Sequence, residues 1–234
     1  WFNRGEFNGT PNTGTDSTVN GISAAFTVAT TSITNINFGI SQLPNLSITK
    51  SSNGPWAVGQ TGAEYTLTAT NSGTAPTFGT TTIRDTLPTG ITPNWTGTRA
   101  ITNGGVTWGC TFSGQDVTCT TTDGLSNTAG SNTSQLTLPV NVTNTTPLGT
   151  NSITNYASIG GGGDPVVAPT PGAACSPSNH CASNSTTVNS PDLTIAKSHT
   201  PTTFVRGSTG TYNITVGNSG TASTSGTITV VDTL

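Results

Sequence analysis

Apolar and polar residues alternate along much of the chain, in short stretches that turn sequences separate. Period-two alternation places apolar side chains on one face of a strand. Turn sequences such as NSGT at Asn71, LPTG at Leu87 and SGQD at Ser113 end the stretches. About seven such strands predict an all-β, immunoglobulin-like antiparallel β-sandwich. The positions that carry the alternation include Leu46 and Ile48; Tyr65, Leu67 and Ala69; Ile83; Val106, Trp108 and Cys110; Val117 and Cys119; Leu136, Leu138, Val140 and Val142; Ile153 and Ala157.

The chain also repeats itself at an offset of 147 residues. Residues 45–87 read NLSITKSSNGPWAVGQTGAEYTLTATNSGTAPTFGTTTIRDTL. Residues 192–234 align with them without a gap and read DLTIAKSHTPTTFVRGSTGTYNITVGNSGTASTSGTITVVDTL. A fixed period of this kind is typical of an array of similar modules. The pattern therefore predicts a tandem array rather than a single isolated domain.

The phase of the repeat predicts one complete module flanked by two partial ones. The complete β-sandwich module covers 45–191, and 192–234 carries the first strands of the next, truncated copy. Residues 1–44 are predicted to be terminal strands of a preceding or neighbour-completed module, because TSITNINFG there resembles NSITNYASI near the end of the complete module. Within that module, 160–190 is predicted to be a long Gly/Pro/Ser-rich loop. The β-sheets at both ends of the chain are expected to be incomplete, and each is expected to take strands from another copy of the same chain, head to tail.

The composition argues against some classes of binding partner. Charged residues make up only 6% of the chain, against about 25% in ordinary soluble proteins. The net charge of -3 offers no basic patch, so nucleic acid is not an expected partner. No run of residues approaches the roughly 20 apolar positions of a transmembrane helix. Thr-rich stretches with few strong helix formers favour strands throughout.

The four cysteines form two local pairs. Cys110 and Cys119 flank a hairpin turn and would face each other within disulfide reach. Cys175 and Cys181 close the short loop CSPSNHC, and two disulfides favour an extracellular, oxidising compartment. A zinc site at Cys175, His180 and Cys181 would offer only three ligands, at a spacing that fits no closed tetrahedral site. We therefore expect disulfides here, with no metal and no cofactor.

Several motifs together resemble the DUF11 repeat family of bacterial surface proteins. They are LSITKS with LTIAKS, YTLTATNSGTA with YNITVGNSGTA, IRDTLPTGI with VVDTL, the hairpin WGC…VTC, and the closing stretch ITNYASIGGGGDP…C…C. The resemblance covers 45–191 fully and 192–234 as a truncated copy. It implies an immunoglobulin-like sandwich used in tandem on the cell surface, with no enzymatic activity and no particular ligand.

Three polar residues share the face of the core residues in their strands. Lys50 has the parity of Leu46 and Ile48, Asp85 that of Ile83, and Asn155 that of Ile153. Lys and Asp are rarely fully buried unless they are paired, because an isolated buried charge is costly. The second copy repeats two of the three positions, as Lys197 and Asp232.

Three interpretations of this trio are open. Lys50 could reach water from a strand end while Asp85 caps the LPTG turn, or the two could form a buried ion pair. Alternatively, Lys50 could form a spontaneous isopeptide bond with Asn155, with Asp85 as the proton shuttle, as in some surface-adhesin sandwiches that the module resembles. Burial lowers the pKa of a lysine and raises that of a carboxyl group, which would leave a neutral amine able to attack the amide.

An intersubunit version of the same bond follows from the repeat. Lys197 and Asp232 have no partner asparagine within their truncated copy. Asn35 occupies the position that matches Asn155 in the shared Ser-Ile-Thr-Asn stretch. The head of one subunit could therefore complement the tail of the next, or become cross-linked to it.

The sequence favours a structural role over catalysis or binding. Its two histidines, His180 and His199, lie in Pro/Ser-rich turns, and no Gly-rich loop follows a strand and opens a helix. Trp56, Trp95 and the 160–190 loop could contact a glycan or receptor, although such aromatics more often pack. We expect a non-enzymatic module of an extracellular repeat protein that assembles head to tail into a surface fibre or stalk. The alternative is an adhesin-type module that recognises a glycan or a surface ligand.

Overall fold

The computed structural model describes residues 2–6, 38–224 and 226–233, with side chains from residue 42 onwards. These residues form strands and one short 3₁₀ helix, so the predicted all-β class is confirmed. The strands are β1 (Phe2–Glu6), β2 (Phe38–Ser41), β3 (Leu46–Ser52), β4 (Trp56–Ala57), β5 (Ala63–Asn71), β6 (Thr81–Thr86), β7 (Ile91–Pro93), β8 (Arg99–Asn103), β9 (Val106–Ser113), β10 (Asp116–Thr121), β11 (Thr133–Val142), β12 (Gly149–Gly161), β13 (Cys181–Asn189), β14 (Leu193–Thr200) and β15 (Thr211–Asn218). The 3₁₀ helix is Ser178–His180.

Strands β3 to β13 build two sheets. The larger sheet has seven strands in the order β4-β13-β12-β6-β10-β9-β8, and the smaller has four in the order β3-β5-β11-β7. Neighbouring strands are antiparallel except β4 and β13, which pair in parallel. The arrangement is consistent with the predicted β-sandwich.

The core lies between the two sheets and follows the alternation in the sequence. In β5 every second residue is buried, from Ala63 to Asn71. Trp108 of the larger sheet donates its indole N–H to Ser134 Oγ of the smaller sheet, at 3.0 Å. The buried indole is therefore hydrogen-bonded as well as packed, and burying a large apolar side chain contributes about 1.5–3 kcal/mol. The largest fully buried side chains are Trp56, Trp108, Tyr65, Leu46, Leu67, Ile83, Ile91, Leu125, Leu136, Leu138 and Ile159.

The start of the module is fixed by the NSGT turn. Asn71 Oδ1 accepts hydrogen bonds from the backbone N–H groups of Asn45, at 3.1 Å, and Gly73, at 3.0 Å. The backbone of Leu43 to Asn45 crosses directly over Gly73, where a Cβ atom would collide with it. A glycine is required here because only hydrogen atoms leave room for the crossing chain.

The second copy begins in the same way. Asn218 Oδ1 accepts hydrogen bonds from the backbone N–H groups of Asp192, at 2.9 Å, and Gly220, at 3.0 Å. The backbone of Ser190 to Asp192 crosses Gly220 as closely as the earlier segment crosses Gly73. The sequence repeat is therefore also a repeat of local structure at the entry to each copy.

The two ends of the chain form separate small sheets. β1 pairs with β2, and β14 pairs with β15 in a hairpin. Within the described residues, neither β14 nor β15 pairs with β1 or β2. Apolar residues of the tail that lie exposed are Leu193, Ile195, Phe204, Val205, Tyr212, Ile214, Val216, Ile228, Val230 and Val231.

The structure corrects the prediction of one long loop over 160–190. β12 continues to Gly161, and β13 occupies Cys181–Asn189, so only the middle of this segment is irregular. β13 was missed because Thr186 and Val188 are its only fully buried positions and the rest are Ala, Ser, Thr, Asn and Cys. Without an apolar alternation, a strand that fills a sheet between two neighbours resembles a polar loop in the sequence.

Candidate functional site

Lys50, Asp85 and Asn155 come from three strands and meet in the core. Lys50 lies on β3 of the smaller sheet, whereas Asp85 on β6 and Asn155 on β12 lie on adjacent strands of the larger sheet. Asp85 pairs with Ala157, so Asn155 stands two residues along β12 on the same face. The larger sheet therefore presents the carboxyl and amide groups side by side, facing the lysine strand.

Lys50 and Asp85 are in direct contact. The Lys50 Nζ donates a hydrogen bond to Asp85 Oδ2, and both side chains are fully buried. The β3 backbone at Lys50 remains partly exposed, so burial is a property of the side chain alone. A lysine that reaches water, with an aspartate that only caps the LPTG turn, does not fit this geometry.

Burial favours the neutral form of both groups. It lowers the pKa of Lys50 below the ordinary lysine value, against the opposing attraction of Asp85. It also raises the pKa of Asp85 above the ordinary aspartate value, opposed by Lys50 and by the nearby Asn155 amide. A neutral amine beside a protonated carboxyl group is the combination that amide attack requires.

Tyr65 is a fourth member of the cluster that the sequence analysis counted only as a core residue. The Lys50 Nζ lies 4.3 Å from the centroid of the Tyr65 ring, within cation–π range. The Trp56 ring packs on Tyr65 edge to face, with centroids 4.9 Å apart. The sequence repeat contained a clue to this role, because at the 147-residue offset Tyr65 recurs as Tyr212 and Lys50 recurs as Lys197.

Four buried polar atoms of this cluster have no hydrogen-bond partner among the described residues. They are Asp85 Oδ1, both amide atoms of Asn155 and the Tyr65 hydroxyl. Buried polar groups are paired in the great majority of cases, and an unpaired one costs about 1–3 kcal/mol. Such a concentration of unpaired groups around one amine and one amide needs an explanation, and the shifted pKa values beside it make the cluster a candidate functional site.

The second copy reproduces half of this arrangement. Lys197 Nζ lies 2.6 Å from Asp232 Oδ1 and 4.3 Å from the centroid of the Tyr212 ring. The two charged side chains are 37% and 30% exposed, whereas their counterparts in the complete module are fully buried. Asn35, the predicted partner of Lys197 in a neighbouring subunit, lies outside the described residues, so that pairing stays a prediction.

Both disulfides expected from the sequence are present. Cys110 on β9 and Cys119 on β10 are directly opposed in register, and both are buried. Cys175 bonds to Cys181, which closes the loop that carries the 3₁₀ helix. No group of three His, Cys, Asp or Glu side chains that could hold a metal occurs in the part of the chain that the structure describes.

His180 contacts an aspartate that the sequence analysis did not single out. Its Nε2 lies 3.1 Å from Asp164 Oδ2, and both side chains are almost completely buried. The same oxygen accepts a hydrogen bond from the backbone N–H of Leu46, and Asn179 Nδ2 donates to the Leu46 carbonyl at 3.3 Å. The disulfide-closed loop and Asp164 therefore hold the first strand of the module in place. The only sequence feature that pointed to this contact was the aspartate within GGGGDP.

The two tryptophans proposed as ligand contacts are packing residues. Trp56 is only 1% exposed. Trp95 packs against the core and meets Phe112 edge to face, with centroids 5.4 Å apart. The buried Trp56 ring therefore offers no open face for stacking on a sugar, whereas Trp95 is partly exposed.

No protein-family model and no curated protein matches the chain. The DUF11 resemblance therefore remains a sequence-based prediction. The described residues contain no helix of the length and apolarity that a membrane crossing needs.

Solved structures similar to the chain include the following three. The first is a CARDB domain from Pyrococcus furiosus (TM-score 0.35, 16% identity, covering 62% of this chain and 89% of that one). The second is BcpA, the major pilin subunit of Bacillus cereus (TM-score 0.42, 16% identity, 64% and 42%). The third is the Actinomyces fimbrial adhesin FimA (TM-score 0.32, 18% identity, 64% and 58%). The match spans less than two thirds of the pilin and adhesin chains.

Proposed function

We propose that the chain is a non-enzymatic structural module of an extracellular repeat protein, and that an isopeptide bond between Lys50 and Asn155 locks its sandwich. The observation that carries the proposal is the fully buried contact between Lys50 and Asp85 on the face where the unpaired Asn155 amide lies. Two disulfides add further cross-links and support an oxidising compartment. The low charge leaves the module few groups for catalysis on an external substrate.

The bond forms by exchange of one amine for another. The neutral Lys50 Nζ attacks Cγ of Asn155, while protonated Asp85 donates a hydrogen bond to the amide oxygen. Asp85 then transfers protons from the attacking nitrogen to the departing amide nitrogen, which leaves as ammonia. One C–N bond breaks and one forms, so the reaction needs no oxidant, energy source or cofactor.

Intact-mass spectrometry of the unfolded, fully reduced chain tests the bond. The wild-type mass should be lower than the sequence mass by one ammonia, and digestion should yield one branched peptide that joins β3 to β12. Lys50→Met and Asn155→Ala should each show their full sequence mass. A wild-type chain with its full sequence mass would reject the bond.

We propose further that such modules assemble end to end into a fibre or stalk. Support comes from the apolar face of the β14–β15 hairpin, which the single chain leaves open to solvent. Strand addition to an open sheet is an established way to join protein chains. Light scattering over a concentration series, with electron microscopy of the same sample, should show growing linear particles. Monomers at every concentration would exclude strand complementation by this chain.

The covalent intersubunit version has a distinct signature. A Lys197–Asn35 bond would give a ladder of bands on denaturing gels, which Lys197→Met would abolish while leaving the ammonia loss of the complete module intact. Denatured material that runs only as single chains would reject this bond without affecting the internal one.

A further inference from the structure

We propose that the Tyr65 hydroxyl donates a hydrogen bond to the Asn155 amide oxygen when Lys50 attacks, so that Tyr65 acts with Asp85 to stabilise the developing oxyanion. This assignment rests on the isopeptide bond of the proposed function and adds a second donor to it. It follows from the position of the hydroxyl, the hydrogen bonds of its neighbours and the recurrence of the tyrosine in the second copy.

Tyr65 is packed against the lysine amine and lies close to the Asn155 amide. It lies on β5 opposite Ser52 of β3, diagonally across from Lys50, and it is fully buried. Its ring lies beneath the lysine amine, and Trp56 packs against it. Asn155 is close enough to Tyr65 and to Asp85 that its amide group opposes the rise in pKa of both groups. The amide therefore faces a phenol on one side and a carboxyl group on the other.

The Tyr65 hydroxyl makes no hydrogen bond to another described residue, so its proton is free for the amide oxygen. Thr186, the second neighbour of the hydroxyl, donates its own proton to Asn184 Oδ1 at 2.9 Å. Because the Thr186 proton is engaged in this hydrogen bond, Ser52 Oγ is the donor in its 2.9 Å contact with Thr186 Oγ1. The threonine oxygen therefore already accepts one hydrogen bond. The Tyr65 hydroxyl and the Asn155 amide oxygen are each left unpaired.

The phenol also keeps its proton throughout. Burial raises the pKa of Tyr65 well above its ordinary value, and the nearby Asp85 carboxyl adds to the rise. Tyr65 therefore donates a hydrogen bond without giving up the proton. The amide C=O electron pair moves to oxygen during attack and returns when ammonia leaves, so Tyr65 ends the reaction unchanged and bonded to the new isopeptide carbonyl.

The same tyrosine accompanies the lysine in the second copy. Tyr212 stands at the matching position, with the Lys197 Nζ at the same 4.3 Å from its ring centroid. Between the two copies Leu67 is replaced by Ile214 and Trp56 by Thr203, so neighbouring core positions vary while the tyrosine stays. A phenylalanine would pack equally well in a purely apolar role.

The test compares rates of bond formation in the full chain. The chain is made by cell-free synthesis with a short isotope pulse, and samples are quenched in denaturant at intervals for intact-mass measurement. Tyr65→Phe, which keeps the ring and removes the hydroxyl, should lose ammonia about 10²-fold more slowly than wild type, the usual effect of removing one oxyanion donor. Tyr156→Phe is the matched control on β12 and should react at the wild-type rate.

A pH profile separates this role from a packing role. Since Tyr65 stays protonated, Tyr65→Phe should lower the rate by the same factor at every pH, whereas displaced Lys50 or Asp85 groups would shift the profile itself. Equal rates for Tyr65→Phe and wild type would reject the donor role and leave the isopeptide bond standing. A wild-type chain that never loses ammonia would reject both.

A measurement on the wild-type protein covers the case in which Tyr65→Phe fails to fold. In the cross-linked chain, the Tyr65 hydroxyl proton should exchange slowly and give an NMR coupling or NOE to the new isopeptide group. A hydroxyl proton that exchanges freely, or that contacts only Thr186, would overturn the assignment.

Discussion

The Asp164 carboxylate accepts a hydrogen bond from the backbone N–H of Leu46 at 2.7 Å, although the two residues are 118 positions apart. Asp164 also binds the His180 side chain and the backbone N–H of Val166, so one buried carboxylate holds three donors. This contact fixes the first residue of β3, the strand that carries Lys50 into the core. The loop between β12 and β13 therefore helps to position the strand that carries Lys50.

Replacing Asp164 with alanine should destabilise the module by about 2–4 kcal/mol, because the buried Leu46 N–H and the His180 ring would each lose a partner. Urea denaturation followed by tryptophan fluorescence measures the change. Asp123→Ala is the matched control: Asp123 also accepts a backbone N–H at 2.7 Å, from Thr107, but at the surface. Equal losses for the two variants would contradict the support role of Asp164.

Lys50→Met should lower the free energy of unfolding by about 4–5 kcal/mol, because the proposed bond to Asn155 would close a loop of about 100 residues. For a chain of this size, the melting temperature should fall by about 10 °C or more. Differential scanning calorimetry measures it. Asn155→Ala should cost a similar amount and the double variant little more, since either change removes the same bond. Additive losses would indicate that the two residues act independently.

The Asn155→Ala variant, which cannot form the bond, should become less stable as the pH falls below the ordinary lysine value of 10.5. Burial lowers the pKa of Lys50 in the folded state, so between the two pKa values the unfolded chain binds one more proton. The free energy of unfolding therefore falls with falling pH in that window and levels off below the folded-state pKa.

Urea denaturation at several pH values measures this slope. The Lys50→Met, Asn155→Ala double variant is the control, and the two slopes are compared just below pH 10.5, where the unfolded chain takes up the Lys50 proton. Identical slopes would show that Lys50 keeps its ordinary pKa in the folded chain. Asp85 acts in the opposite sense, because its raised pKa makes stability fall as the pH rises above 3.8.

A mild reductant should open the Cys175–Cys181 disulfide of the folded protein before the Cys110–Cys119 disulfide. Both Cys110 and Cys119 are fully buried, whereas Cys175 and Cys181 are partly exposed. Alkylation followed by peptide mapping identifies which bond has opened. The loss of this short cross-link should cost about 2 kcal/mol. Simultaneous reduction of both bonds would show that the sandwich opens before either disulfide reacts.

The sequence predicted those parts of the fold that depend on local pattern. Alternation at Tyr65, Leu67 and Ala69 is enough to place β5, and the Cys110–Cys119 register follows from a short hairpin. β13 could not be found in this way, because its alternating positions are mostly small polar residues and its place depends on β12 and β4. A strand that is stabilised mainly by its neighbouring strands shows only weak apolar alternation in its own sequence.

The candidate site could likewise be predicted only in part from the sequence. Parity along three strands was sufficient to place Lys50, Asp85 and Asn155 in one core. The contact between Asp164 and Leu46 could not be predicted, because it depends on how a long irregular segment folds back on a distant strand. Tyr65 was visible as a core residue, yet only the three-dimensional packing shows its ring beneath the lysine amine.

The location of the Lys50–Asn155 pair determines how far the module could lengthen under tension. With the proposed bond in place, a pull that enters at β3 would reach it after a few residues and pass directly to β12, so the intervening chain would bear no load. That chain of about 100 residues would otherwise extend by roughly 330–360 Å when unravelled. Beyond Asn155, the Cys175–Cys181 bridge removes a further short stretch from the loaded path. Such a module would behave as a nearly inextensible link.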